Sequence, residues 1–123
     1  MHELSIALNM IEMAEAEVTR RGGGRVTALH LKLGPLSGVV KEALSFSYEI
    51  ACQGTALEGS QLLIEEVPVV IHCASCRQDE IVASIQSLRC PRCGELSFDV
   101  KQGRNLEVVA LEFEEEEIEE MVS

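Results

Sequence analysis

Cys73-Ala74-Ser75-Cys76 and, thirteen residues further on, Cys90-Pro91-Arg92-Cys93-Gly94 decide how this chain is organised. A Cys-x2-Cys turn presents two thiolates on one side of the backbone, and two such turns close a tetrahedron around one cation. Gly94 permits a left-handed turn that aims backbone N–H groups at the sulfurs. Arg77, Arg89 and Arg92 are expected to temper the excess negative charge of four thiolates on a dication. Four protein ligands leave no open position, so the spacing predicts a structural zinc ribbon held by Cys73, Cys76, Cys90 and Cys93. A redox dithiol pair and an iron–sulfur site are the alternatives. His72 is either a substitute ligand or a bystander. A segment of this length, roughly 69–104, is too short to hold itself together without a metal.

Outside the cysteines the pattern changes. From Glu3 to Arg20, apolar residues recur at Leu4, Ala7, Leu8, Ile11, Ala14 and Val18, the spacing of an amphipathic helix. Arg20 and Arg21 followed by Gly22-Gly23-Gly24 end it. Arg25 to Leu33 alternates Leu29, Leu31 and Leu33 against Ala28, His30 and Lys32, which predicts a half-buried strand. Gly34-Pro35 and Gly38 break the chain, and a second helix is expected over Lys41 to Cys52. Residues 61–67 and 106–113 alternate again. Neither helix can bury its stripe alone, so the expectation is an α+β fold: a small three-stranded sheet covered by two helices, with the zinc ribbon inserted. The corresponding modules are 1–68 completed by 105–123, and 69–104.

The chain has 123 residues and is 46% hydrophobic, which is globular material. Aromatics make up 3%, so base-stacking platforms for nucleic acid are scarce. The net charge of −11 opposes approach to a polyphosphate or an anionic membrane. Seven glutamates between Glu112 and Glu120 carry most of it, and −4 remains without them, whereas residues 72–104 sum to +1. This acidic end is expected to be a solvated tail, the alternatives being a low-affinity cation trap, a docking tail for a basic partner surface, or a short amphipathic turn of Ile118, Met121 and Val122 against the sheet. No stretch approaches the ~20 apolar residues of a membrane span, and a reducing, cytoplasmic setting suits paired cysteines as metal ligands. Cys52 stands alone and is expected to be a small buried hydrophobe.

The N-terminus offers a second set of donors. The Met1 amine, the backbone nitrogens of His2 and Glu3 and the His2 imidazole can form fused chelate rings, and deprotonated amides favour the square-planar geometry of Ni(II) or Cu(II). The competing reading is a frayed helix start with Glu3 facing the helix dipole. Nothing in the sequence pairs a nucleophile with a base, so no enzyme is expected.

Met1-His2-Glu3-Leu4-Ser5, Leu33-Gly34-x-Leu36-Ser37-Gly38, Gly54-Thr55, Ile64-Glu65-Glu66-Val67-Pro68, the two cysteine pairs and Gly103-Arg104-Asn105-Leu106, in that order, resemble the HypA/HybF family of hydrogenase maturation nickel metallochaperones. The resemblance covers nearly the whole chain. It implies nickel at His2 with Met1 and Glu3, and structural zinc at the four cysteines. It also implies delivery to the nickel–iron hydrogenase large subunit, and in some members to urease, alongside a nickel-handling GTPase maturation partner. Some members place an Asp beside Val39-Val40-Lys41-Glu42; Glu42 is the acid this chain offers there. The runner-up is a zinc-ribbon adaptor that binds another protein without transferring metal.

Overall fold

A computed structural model describes residues 2–83, 85–114 and 118–121. Its elements run α1 (Glu3–Arg20), β1 (Val26–Leu33), a 3-10 turn (Pro35–Ser37), α2 (Lys41–Ala51), β2 (Gln61–Glu66), β3 (Val69–Cys73), β4 (Gln78–Val82), β5 (Val100–Gln102), β6 (Leu106–Phe113) and β7 (Ile118–Glu120). The strands form two sheets, one ordered β2-β1-β6-β7 and one ordered β4-β3-β5. The expected α+β fold with two helices is the observed one. The three expected strands lie side by side in the first sheet, with β7 added at its edge. The cysteine segment carries a sheet of its own.

The chain divides into two compact units, one of Met1–Leu31, Val39–Ile64 and Glu107–Ser123, the other of Lys32–Gly38 and Glu65–Leu106. In the first unit α1 buries Ala7, Met10, Ile11, Ala14 and Val18. Leu4 and Leu8, placed on the stripe by periodicity, are half exposed, and Met10 takes a core position instead. Leu29, Leu31, Leu111 and Phe113 supply the sheet's contribution to the buried set, and Leu44 and Tyr48 that of α2. The Tyr48 hydroxyl finds the Ser60 hydroxyl at 2.7 Å, which satisfies the polar tip of an otherwise apolar residue. Burial holds the Tyr48 phenol well above its ordinary range. Cys52 is buried beside it, as its apolar surroundings in the sequence predict.

The acidic end departs from the expected solvated tail. Ile118–Glu120 pairs antiparallel with β6 in the register Ala110 with Glu120, Leu111 with Glu119 and Glu112 with Ile118. A guanidinium explains why such acidic chain can lie there: Arg20 donates to the Glu119 carboxylate at 2.8 Å and also holds Glu17. Residues 115–117 and 122–123 of that end lie outside the described residues.

The second unit has a small core of Val69, Ile71 and Val82, completed by Leu36, Leu88 and Val100. Leu36 arrives from the Gly34–Gly38 break, which is therefore part of the unit and not merely a connector. Gly34 explains how the two backbones approach. Its N–H donates to the Asn105 carbonyl at 2.9 Å, the Leu36 N–H donates to the Gly103 carbonyl at 2.7 Å, and a Cβ on Gly34 would overlap the Gly103 carbonyl group. Two of the segments that carry the family resemblance, distant in sequence, thus meet through their glycines.

Candidate metal centre

Cys73 closes β3, and Cys76 follows in the turn into β4. The turn is fixed by the Arg77 N–H donating to the Cys73 carbonyl at 2.8 Å, and the Cys76 N–H points at the Cys73 sulfur at 3.5 Å. The second turn repeats this plan: the Gly94 N–H donates to the Cys90 carbonyl at 2.8 Å, with Gly94 at φ 80°. Arg77 holds the equivalent left-handed position at φ 57°. Glycine is the residue usually placed there, so the sequence announces the second turn through Gly94 and is silent about the first. The Ser75 hydroxyl donates to Glu95 at 2.5 Å and ties one turn to the other.

These two turns bring the four thiols together. Every sulfur lies within 4.8 Å of the other three, with Cys73 to Cys93 at 3.6 Å and Cys76 to Cys90 at 3.8 Å. Tetrahedral zinc with bonds of ~2.3 Å places its sulfurs about 3.8 Å apart, whereas a disulfide needs about 2.05 Å. The spacing suits a metal and not an oxidised pair. Cys73 and Cys90 are buried, Cys76 is half-buried and Cys93 is exposed, so the cluster opens to solvent at one corner.

The acid–base character of the donor set points the same way. Backbone N–H groups of Cys93 and then Arg92 lower the Cys90 thiol to about 7, although burial opposes them. Burial, and then the neighbouring thiols, push Cys76 up to about 12. Four sulfurs this close cannot all ionise beside one another without a cation, and a dication removes that conflict. The cluster therefore fits a structural metal held by Cys73, Cys76, Cys90 and Cys93.

The residues expected to surround the cluster are arranged differently. Arg89 donates to the Gly94 carbonyl at 3.0 Å and so braces the second turn. Arg92 reaches Glu80 at 3.2 Å. His72 sits opposite Asp79 on β4 and meets its carboxylate at 2.8 Å through Nδ1. It is a cross-strand partner of Asp79, and the clustered ligands are the four cysteines alone among the described residues.

At the other candidate site His2 is the N-cap of α1, exposed and extended at φ −87°, ψ 115°. Its carbonyl accepts the Ile6 N–H at 3.2 Å. The Glu3 carboxylate accepts the Val40 N–H at 3.2 Å, just before α2. That bond, and then Glu3's own amide, hold the carboxyl below the usual carboxylate range. The resemblance singled out the segment Val39-Val40-Lys41-Glu42 for an acid beside it, but the bond itself, a backbone N–H 37 positions from Glu3, leaves no residue signature. Glu42 lies exposed in the first turn of α2. Met1 lies outside the described residues.

Among the described residues no helix is long and apolar enough to cross a membrane. Residues 1–113 match the family model described as "Hydrogenase/urease nickel incorporation, metallochaperone, hypA". The chain is 44% identical over 116 residues to the hydrogenase maturation factor HypA of Roseiflexus sp. (strain RS-1), covering 94% of each chain. It is 46% identical over 112 residues to the HypA of Chloroflexus aurantiacus (strain J-10-fl), covering 91% of this chain and 98% of that one. In fold it is similar to the solution structure of the Ni metallochaperone HypA from Helicobacter pylori, with a TM-score of 0.66 at 18% identity over 92% of this chain and 97% of that one. With the family model matched over residues 1–113 and relatives aligned along almost their full length, the chain belongs to the HypA family of hydrogenase/urease nickel-incorporation metallochaperones.

Proposed function

We propose that this chain carries Ni(II) at its N-terminus for insertion into nickel–iron hydrogenase, with Zn(II) as the resident metal of the four-cysteine cluster. The supporting observation is where His2 and Glu3 fall: at the N-cap and first position of α1. The first N–H groups of a helix have no partner within it, so Ni(II) can replace the amide protons of His2 and Glu3, which pass to solvent, without breaking a helical hydrogen bond. The positive end of the helix macrodipole favours those deprotonated nitrogens. With the Met1 amine and the His2 imidazole they make the fused chelate that Ni(II) prefers. The Glu3 side chain acts as a positioning group: by holding Val40 N–H it fixes the helix start against the chain entering α2. Zinc, when bound, supplies cross-linking of the two cysteine turns and no reaction, since its four positions are filled.

Nickel is cargo in this reading, received and released in the cytoplasm. A nickel-handling GTPase is the maturation partner, and the hydrogenase large subunit is the recipient. Urease is a further recipient to test, because the family description names it. The chain carries a metal and transforms no substrate.

The test is metal content and Ni(II) titration on protein with an authentic Met1 start, beside a version bearing extra N-terminal residues and beside His2→Ala. The expected result is one zinc per chain in all three and about one exchangeable nickel bound only by the unextended chain that keeps His2. Full nickel binding by His2→Ala would place the site elsewhere. One zinc with no preference for nickel in any version would favour a zinc-ribbon adaptor.

A further inference from the structure

The family model ends at residue 113, and β7 lies beyond it. The strand is short, three residues against the eight of β6. It nevertheless finds a matched surface. The first unit contains four Lys and Arg residues, Arg20, Arg21, Arg25 and Lys41, and three of them fall within six positions at the end of α1 and the start of β1. Glu119 ion-pairs with Arg20 at 2.8 Å, and the Met121 N–H donates to the Val109 carbonyl at 3.0 Å. Arg21 lies over the Phe113 ring at 3.6 Å, where β6 ends.

The fit is incomplete. Oε2 of Glu119 is buried without a hydrogen-bond partner among the described residues, which is a cost to a carboxylate. An open cleft of about 500 Å³ is lined by Arg20, Arg21, Ile118 and Glu119. Ile118 keeps 63% of its surface exposed. A short edge strand held by a solvent-facing ion pair belongs to the least stable part of a fold. Beneath it lies the backbone edge of β6, and an unpaired edge is a template for another strand.

We propose that the edge of β6, flanked by Arg20 and Arg21, is a docking site for an extended acidic segment of a partner protein, and that β7 occupies it in cis as a displaceable strap. The partner would place a carboxylate opposite Leu111, where Glu119 now sits, and alternate it with side chains on the other sheet face. Backbone pairing supplies the attachment and the arginines supply the preference for acid. Release of the strap then frees the site, and added salt weakens both occupants because the ion pair is exposed.

The probe is a labelled ten-residue peptide with the sequence of residues 114–123, added to the full-length chain and followed by fluorescence anisotropy. Glu119→Arg sets like charges against each other in the strap while leaving β6, Arg20 and Arg21 intact. It should bind the peptide at least tenfold more tightly than wild type. Adding Arg20→Ala to it, which removes the cation without rebuilding a reversed ion pair, should remove that gain. Met121→Pro, which deletes the donor to Val109, is the second release variant and should behave like Glu119→Arg. The proposal is overturned if neither release variant gains affinity while both retain the wild-type circular dichroism spectrum. It is equally overturned if a scrambled peptide of the same composition binds as well as the true sequence, since that would be attraction of charge without pairing of strands.

Discussion

Gly34 shows how much a single missing Cβ can decide. Its backbone lies against the Gly103 carbonyl because Gly34 has no side chain to hold them apart. Gly34→Ala puts a methyl group into the Gly103 carbonyl, and a backbone atom can yield only if the Leu36 and Asn105 hydrogen bonds move with it. The expected cost is about 3 kcal/mol, the upper range for overpacking, measured as a lowered unfolding midpoint in urea; an unchanged midpoint would mean that the two segments separate freely. Cys52 makes the opposite point. It is 2% exposed, and burial pushes its thiol up. Reactivity follows the exposed thiolate, so a thiol reagent should modify four of the five cysteines once a chelator has stripped the metal, and Cys52 only after denaturant is added. Fast modification of all five in the folded chain would contradict its placement in the core.

The two cysteine turns are one element built twice with different residues. Gly94 takes its left-handed conformation at no steric cost, whereas Arg77 pays for a Cβ at φ 57°. Arg77→Gly should therefore strengthen zinc retention by about 1 kcal/mol, less what the more flexible unfolded glycine takes back. Competition with a chromogenic chelator measures this, and a weaker site would show that the Arg77 side chain makes a stabilising contact. The comparison also explains what the sequence could tell. Cysteine spacing made the cluster legible, because thiol chemistry demands that spacing. Helical and alternating periodicity made α1, α2, β1, β2 and β6 legible, because burial on one face imposes a period. Leu4 and Leu8 were misassigned within α1 because periodicity gives a stripe without saying which edge of it meets the sheet. Strand β7 was only half legible: its apolar residues allowed a short turn against the sheet, but Glu-rich sequence reads as solvated until Arg20 is seen opposite Glu119. Leu36 was hidden for a related reason: a Gly-Pro break looks like a connector unless the core it completes is known.

At the scale of the molecule the two units are stabilised by different means, and this yields the last prediction. The first unit buries side chains from α1, α2 and the four-stranded sheet, an apolar core of ordinary composition. The second has three buried apolar residues in its cluster and three partly buried ones around them. At ~25 cal/mol per Å² such a cluster contributes little against the ordering entropy of some fifty residues, roughly 1–2 kcal/mol each before side chains are counted. A four-thiolate zinc site supplies on the order of 10 to 16 kcal/mol at neutral pH, which is the scale required. Metal removal should therefore act selectively. After chelation, backbone amides of β3, β4 and β5 should exchange with solvent within the dead time of the measurement, while those of α1 and β1 keep their protection. Far-ultraviolet circular dichroism should retain its helical signal, because both long helices lie in the first unit. Readdition of zinc should restore the lost protection at one equivalent per chain. Retention of slow exchange throughout β3 in the stripped protein would mean that Leu36, Val69, Ile71 and Val82 suffice as a core, and the cluster would then need a role other than folding. Loss of protection in both units together would mean that the first unit depends on the second for its own stability, a dependence its buried surface gives no reason to expect.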